Sequence, residues 1–204
     1  MLTFALSKGR LANKILKMLS TLNICDITID DSDRRLIIEA GNYRFFLAKP
    51  SDVPTFVEYG VADLGVVGKD TILEENRDIT EMLDLNFGNC RMCVCGKAGD
   101  YSYTEKSNLR VATKYPNIAK AYFDSINQNT TIVKLNGSVE LAAIVGLADV
   151  IVDIVESGRT LKENGLEPLK TIHDLSARLV VNNASLKTKY DEIQEIVSGL
   201  ESLI

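Results

Sequence analysis

The sequence predicts an α/β protein built as two lobes. Short apolar runs alternate along the 204 residues with segments in which apolar positions recur at helical spacing, as expected for strands alternating with helices. Two such sets of elements follow one another, the second starting near residue 89, and no Pro- or Ser-rich linker separates them. We therefore expect short crossing strands and a central cleft, with lobe I at residues 1–88 and 180–204 and lobe II at residues 89–179.

The first set combines period-two runs, helical periodicity and turn residues. Apolar spacing predicts its helices, and Gly41-Asn42 between two apolar runs predicts a hairpin. The set consists of a strand at 2–6, a helix at 11–22, the hairpin strands 36–39 and 43–48, a helix at 52–60 with Pro54 in its first turn, and a strand at 63–67 followed by a helix.

The second set has the same alternation, and an amphipathic helix follows it. The predicted elements are strands at 91–95 and 109–113, a helix after Pro116, a strand near 132, a helix at 139–147, strands at 150–155, 166–172 and 179–182, and the final helix at 193–204.

Composition narrows the class of protein. The chain is 46% hydrophobic and 25% charged, values typical of globular proteins. Its net charge of −5 argues against nonspecific binding to nucleic acid. The first residues do not resemble a signal peptide, and no run approaches the ~20 apolar residues of a membrane helix. We expect a cytoplasmic protein without a membrane partner.

Residues 140–161 carry the strongest functional motif. The apolar run at 150–155 is interrupted only by Asp153, and a polar turn, residues 156–160, follows it. With a helix expected from Leu161, backbone N–H groups at the helix start would converge on this anion-binding turn. Ser157, Thr160 and Arg159 add donors, while Asp153 and Glu156 could take ribose hydroxyls or a Mg²⁺ shell.

A simpler interpretation of the same turn is helix capping. Thr160 and Glu163 fit the capping-box pattern T-x-x-E, which stabilises a helix without any ligand. Asp153 favours the binding interpretation, because a carboxylate within an apolar run is costly unless it has a partner.

Other strand ends also carry polar residues. Lysines follow three predicted strands as Lys8, Lys69 and Lys114, and Lys49 follows a fourth. In open α/β sheets ligands bind at the carboxyl ends of strands, so these lysines would supply locally the positive charge that the net charge lacks. No P-loop or G-x-G-x-x-G fingerprint occurs, and His173 is interpreted as structural.

Three cysteines lie close together, at positions 90, 93 and 95. A zinc site generally requires a second ligand pair elsewhere, and the chain offers only Cys25 and His173. We favour Cys93 and Cys95 as small core residues on one face of a strand.

The motifs together resemble a known family, the ATP phosphoribosyltransferases of histidine biosynthesis in their short form. The resemblance runs almost end to end. It rests on ALSKGRL at 5–11, DVPTFVEYGVADLGVVGKD at 52–70, RVATKYPNIA at 110–119, LNGSVELA at 135–142, and the family pattern E-x5-G-x-A-x2-I-x-D-I-x2-S-G-x-T-L at 140–161.

The resemblance implies a fold, a reaction and a set of site residues. The fold is the two-lobed one of periplasmic solute-binding proteins (type IV phosphoribosyltransferase). The reaction joins N1 of ATP to C1 of 5-phosphoribosyl 1-diphosphate (PRPP), with inversion, and needs Mg²⁺ with the diphosphate. PRPP would contact Asp153, Glu156, Ser157, Gly158, Arg159 and Thr160, whereas ATP would contact Lys8, Arg10 and Arg34; Lys8 and Lys49 would be catalytic.

The sequence also departs from the family pattern. Lys49 stands where an arginine is expected, which keeps the charge but loses a planar bidentate contact, and Ala143 stands where a proline is usual. Short members work with a regulatory subunit resembling histidyl-tRNA synthetase, so a hetero-oligomer is implied. A non-catalytic solute-binding module and a purine-salvage phosphoribosyltransferase remain the alternatives.

Overall fold

The computed structural model describes residues 1–29 and 35–204. The strands are β1 (Leu2–Ser7), β2 (Ile37–Ala40), β3 (Tyr43–Ala48), β4 (Leu64–Gly68), β5 (Thr80–Asp84), β6 (Cys90–Lys97), β7 (Leu109–Thr113), β8 (Thr130–Lys134), β9 (Val150–Val155), β10 (Leu166–Leu175) and β11 (Ala177–Val181). The α-helices are α1 (Arg10–Thr21), α2 (Val53–Glu58), α3 (Lys69–Glu75), α4 (Pro116–Ser125), α5 (Glu140–Ile144), α6 (Arg159–Glu163), α7 (Asn183–Thr188) and α8 (Tyr190–Glu201).

The described chain divides into two compact units, residues 1–88 with 176–204, and residues 89–175. We expected the chain to return to the first lobe at residue 180, whereas in the structure it returns to the first unit at residue 176. β11 pairs along its length with β4 and β5 of the first unit, so residues 176–179 belong to that unit.

The first unit is a sheet with helices on both faces. Its strand order is β2-β3-β1-β4-β11-β5, and β1 runs parallel to both β3 and β4. The apolar faces of α1 and α8 pack with Phe4 and Leu6 of β1. On the other face α2 packs against Ala5, and a Cβ at Gly65 would lie 2.7 Å from the Val57 side chain, so glycine permits this close approach.

Asp63 is the main polar anchor of the first unit. Its buried carboxylate accepts hydrogen bonds from the Thr3 backbone N–H at 2.9 Å and the Ser185 hydroxyl at 2.7 Å, and it pairs with Lys189 at 2.8 Å. These contacts tie the start of β1 to α7 and to the residue before α8. Burial alone would raise the pKa of Asp63, but the Lys189, Ser185 and Thr3 hydrogen bonds outweigh it and lower that pKa.

The second unit has the strand order β10-β6-β9-β7-β8. β7 lies between β8 and β9 and runs parallel to both, so the carboxyl ends of these strands meet at one edge. Cys93 and Cys95 are fully buried in an apolar cluster with Ala112 and Ile151, which confirms their predicted place in the core. In the part of the chain that the structure describes, every helix is too short or too polar to cross a bilayer.

Candidate active site

The chain passes from β9 to α6 of the second unit through the turn that the sequence predicts to bind an anion. Gly158 has φ 71° and ψ 6° and stands immediately before α6. A backbone in this left-handed region favours glycine, since a side chain there is strained. Glycine therefore lets the chain leave β9 and enter α6 within a few residues.

A cavity of about 210 Å³ lies at this turn, lined by Glu140 and residues 153–161. The six residues predicted to bind PRPP all line it, and they come from the end of β9, the turn and the start of α6. Glu140, the first residue of α5, lines it too. Sequence reasoning did not assign Glu140 a role, although it opens the family pattern at 140–161.

The capping-box interpretation is wrong for this turn. α6 begins at Arg159 rather than at Leu161, with Gly158 at the capping position and no side-chain capping bond. The Glu163 carboxylate instead accepts a hydrogen bond from Arg159 Nε at 2.8 Å. Thr160 lies exposed inside the first helical turn and is one of the residues that line the cavity.

Asp153 is the half-buried acid of the cavity. Its Oδ1 accepts a hydrogen bond from the Ile154 backbone N–H at 2.8 Å. Burial raises the pKa of Asp153, with Glu140 acting in the same direction; the Ile154 N–H and the Lys114 charge oppose the rise without cancelling it. Glu140 and Lys114 thus both act electrostatically on the Asp153 carboxyl.

In the first unit, Lys8 and Lys49 follow neighbouring parallel strands. β1 and β3 are in register from Leu2 with Tyr43 to Ser7 with Ala48, and the Lys8 N–H donates to the Ala48 carbonyl at 3.0 Å. Lys8 and Lys49 are both exposed. The structure therefore brings these two predicted catalytic residues to one edge of the first sheet.

Arg10 begins α1, two residues after Lys8. Gly9 between them has φ 107°, a backbone conformation that favours glycine. Arg34, the third residue predicted to contact ATP, lies outside the described residues. Lys69, at another strand end, pairs with Glu81, so its charge is already compensated within the first unit.

His173 lies exposed on β10, an edge strand of the second sheet. Its register partner across the sheet is Met92. Among residues 1–29 and 35–204 no group of three or more His, Cys, Asp or Glu side chains is arranged to hold a metal ion.

Comparison with known proteins agrees with these features. The family model HisG, ATP phosphoribosyltransferase, matches residues 49–202. The ATP phosphoribosyltransferase of Lachnoclostridium phytofermentans is 56% identical, covering 100% of this chain and 97% of the relative. That of Clostridioides difficile is 53% identical, covering 99% of this chain and 98% of the relative.

A solved structure supports the same assignment, and a more distant one shares the fold. The ATP phosphoribosyl transferase (HisG:HisZ) complex from Thermotoga maritima matches with a TM-score of 0.86 at 36% identity, covering 99% of this chain and 98% of that one. The periplasmic aliphatic sulphonate binding protein SsuA of Escherichia coli matches with a TM-score of 0.63 at 11% identity, covering 98% of this chain and 71% of that one. The latter likeness shows the fold alone and confirms the predicted binding-protein-like architecture. The chain belongs to the ATP phosphoribosyltransferase family.

Proposed function

We propose that the chain carries out its family's reaction with the donor held at the anion-binding turn. The reaction transfers phosphoribosyl from PRPP to N1 of ATP, giving N1-(5-phosphoribosyl)-ATP and diphosphate, the first step of histidine biosynthesis. The observation that carries the proposal is the convergence of Asp153 and residues 156–160 on one cavity. Thr160 and Glu163 do not form the predicted capping box, because α6 begins at Arg159 and Glu163 pairs with Arg159.

The 5′-phosphate of PRPP is assigned to the turn itself. The first N–H groups of a helix have no intrahelical acceptor, and they suit an anion. Ser157 and Thr160 are exposed residues of the turn. The Ser157 hydroxyl accepts the Arg159 N–H at 3.4 Å, and both hydroxyls can donate to phosphate oxygens. Arg159 pairs with Glu163 through its Nε, and its side chain is 83% exposed, so its other guanidinium N–H groups can donate to phosphate oxygens.

The ribose is assigned to the acidic side of the cavity. Asp153 and Glu140 line it together, and carboxylates accept hydrogen bonds from ribose hydroxyls. Mg²⁺ in such sites is usually held by one or two carboxylates plus substrate phosphates. Asp153 and Glu140 fit that donor set, and the ion would neutralise charge on the diphosphate.

Positioning and charge stabilisation supply the catalysis in this proposal. Adenine N1 is an adequate nucleophile, so no strong base is needed, and orientation of two substrates can contribute roughly 7–11 kcal/mol. Lys8 and Lys49 are assigned to the charge that develops on the departing diphosphate. Arg10 is assigned to the ATP phosphates, with Lys8 contributing and Arg34 completing the set.

We also propose that the chain works in the cytoplasm with a regulatory partner. The solved Thermotoga maritima relative is a HisG:HisZ complex and covers almost the same length, which supports a hetero-oligomer here. The partner would be the subunit resembling histidyl-tRNA synthetase.

A spectrophotometric assay of phosphoribosyl-ATP formation, with and without the co-expressed partner, tests the proposal. We expect product from ATP and PRPP in the presence of Mg²⁺. Binding without turnover in both preparations would favour the solute-binding alternative. Acceptance of free adenine in place of ATP would favour the purine-salvage alternative.

A further inference from the structure

Thr113 is the last residue of β7, and its hydrogen bonds connect this strand to the residue after β8 and to β9. Its backbone carbonyl accepts a hydrogen bond at 2.9 Å from the N–H of Leu135, which follows β8. Its hydroxyl donates to the carbonyl of Val152 in β9 at 2.6 Å. The same hydroxyl accepts from the Tyr115 N–H at 2.8 Å.

This hydroxyl is fully buried, with 0% of Thr113 exposed. A buried hydroxyl is costly unless it is hydrogen-bonded, and here it is satisfied as donor and as acceptor. A valine would fill nearly the same volume but would leave the Val152 carbonyl and the Tyr115 N–H without this partner. The hydroxyl therefore connects the end of β7 to β9 and to the backbone that follows β7.

The two hydrogen bonds engage the chain neighbours of Asp153 and Lys114. Val152 directly precedes Asp153, and Tyr115 directly follows Lys114. The Lys114 ammonium lies 5.9 Å from the centre of the Tyr115 ring, a cation–π distance. The Lys114 charge also acts on Asp153, opposing the effect of burial on that carboxyl.

We propose that Thr113 is a positioning residue of the donor site, which holds Lys114 and Asp153 at the spacing at which both contact the phosphoribosyl donor. Lys114 thereby becomes a further donor contact, supplied by β7 rather than by the anion-binding turn. The inference rests on the proposed function, because it assumes that PRPP binds beside β9.

Steady-state kinetics of four variants test this inference. The variants are Thr113→Val, Thr113→Ser, Lys114→Met and the double variant that combines Thr113→Val with Lys114→Met. We expect Thr113→Val and Lys114→Met each to raise the KM for PRPP about tenfold. Thr113→Ser keeps the hydroxyl and should stay within about twofold of the wild type. The effect of the double variant should be smaller than the product of the two single effects, because both changes weaken the Lys114 contact and only Thr113→Val also affects Asp153.

A purely structural role predicts a different pattern. Loss of folded enzyme would lower kcat and leave both KM values unchanged, whereas positioning raises the KM for PRPP and spares the KM for ATP. An unchanged KM for PRPP in Lys114→Met overturns the inference even if Thr113→Val does not fold, and so do additive effects in the double variant. If Ser157→Ala with Thr160→Ala raises that KM while the Thr113 and Lys114 variants do not, the donor site stands and only this inference fails. If none of these variants changes it, the donor site itself is wrong.

Discussion

Lys8 and Lys49 directly follow the adjacent parallel strands β1 and β3. The Lys8 N–H donates a hydrogen bond to the carbonyl of Ala48, the residue before Lys49. Both side chains are exposed at this edge of the first sheet. Positive charges gathered at one sheet edge are complementary to an anion that carries several negative charges, such as diphosphate. The shared edge is our reason for assigning both lysines to the leaving group.

Replacing Lys8 by alanine should slow the chemical step. Removal of one charge contact to the leaving group costs about 3 kcal/mol, on the order of a hundredfold in rate. Single-turnover measurement with saturating substrates checks this. Lys17→Ala, an exposed lysine on α1, serves as the control and should be neutral. A Lys8→Ala rate equal to that of the control would remove Lys8 from the mechanism.

The hydroxyls of the anion-binding turn should affect the donor and not ATP. Ser157→Ala combined with Thr160→Ala removes two donors to the 5′-phosphate, so we expect the KM for PRPP to rise about tenfold or more. The matched control is Ser202→Ala with Thr188→Ala, whose hydroxyls bond carbonyls near their own helix ends. Equal PRPP kinetics in the two double variants would contradict the assignment.

Gly158→Ala should separate backbone strain from loss of binding. Gly158 and Gly165 have φ of 71° and 69°, so alanine at either position should cost about 1 kcal/mol of stability. Only Gly158 lines the cavity. We expect equal losses of unfolding free energy in the two variants but a higher KM for PRPP in Gly158→Ala alone; matching kinetics would show that the turn's conformation does not matter for binding.

Asp63 should make stability depend on pH in the acid range. Its pKa in the folded protein lies below its usual value of 3.8, so the stabilisation is fully present above the unfolded-state pKa. It is lost as pH falls through the folded-state pKa. Asp63→Asn should lower the unfolding free energy by about 2–3 kcal/mol at pH 7 and flatten the acid dependence, as urea titrations at several pH values would show.

The control for Asp63 is Asp124→Asn. Asp124 forms an exposed pair with Lys120 one helical turn away, and such pairs contribute about 0.5 kcal/mol or less. If the two aspartates gave equal losses at pH 7, the buried network around Asp63 would not be the anchor described above.

The sequence predicted those elements whose local pattern is strong. The run at 150–155 became β9, and Gly41-Asn42 became the turn of the β2–β3 hairpin. By contrast, β5 and α7 were missed. β5 is a half-buried edge strand with no alternation of burial, and it forms through pairing with β11, almost a hundred positions later. Local periodicity cannot reveal such a partner.

The candidate site was predictable in part for the same reason. Asp153 and residues 156–160 are consecutive or nearly so, and one motif covers them. The contribution of Thr113 depends on its register with Val152 across β7 and β9, which single-sequence reasoning does not supply. The start of α6 was misplaced because residues 156–160 were interpreted as one polar turn, whereas Gly158 takes the capping position and Arg159 already belongs to the helix.

The first unit is formed by two separate stretches of the chain, which has a consequence for folding during translation. β11 lies between β4 and β5 in the finished sheet, yet the ribosome makes all of residues 89–175 before it. The second unit is contiguous, so every residue it requires has emerged while β4 and β5 still lack the strand that joins them. During translation, the turn assigned to PRPP can thus form before the sheet that presents Lys8 and Lys49 is closed.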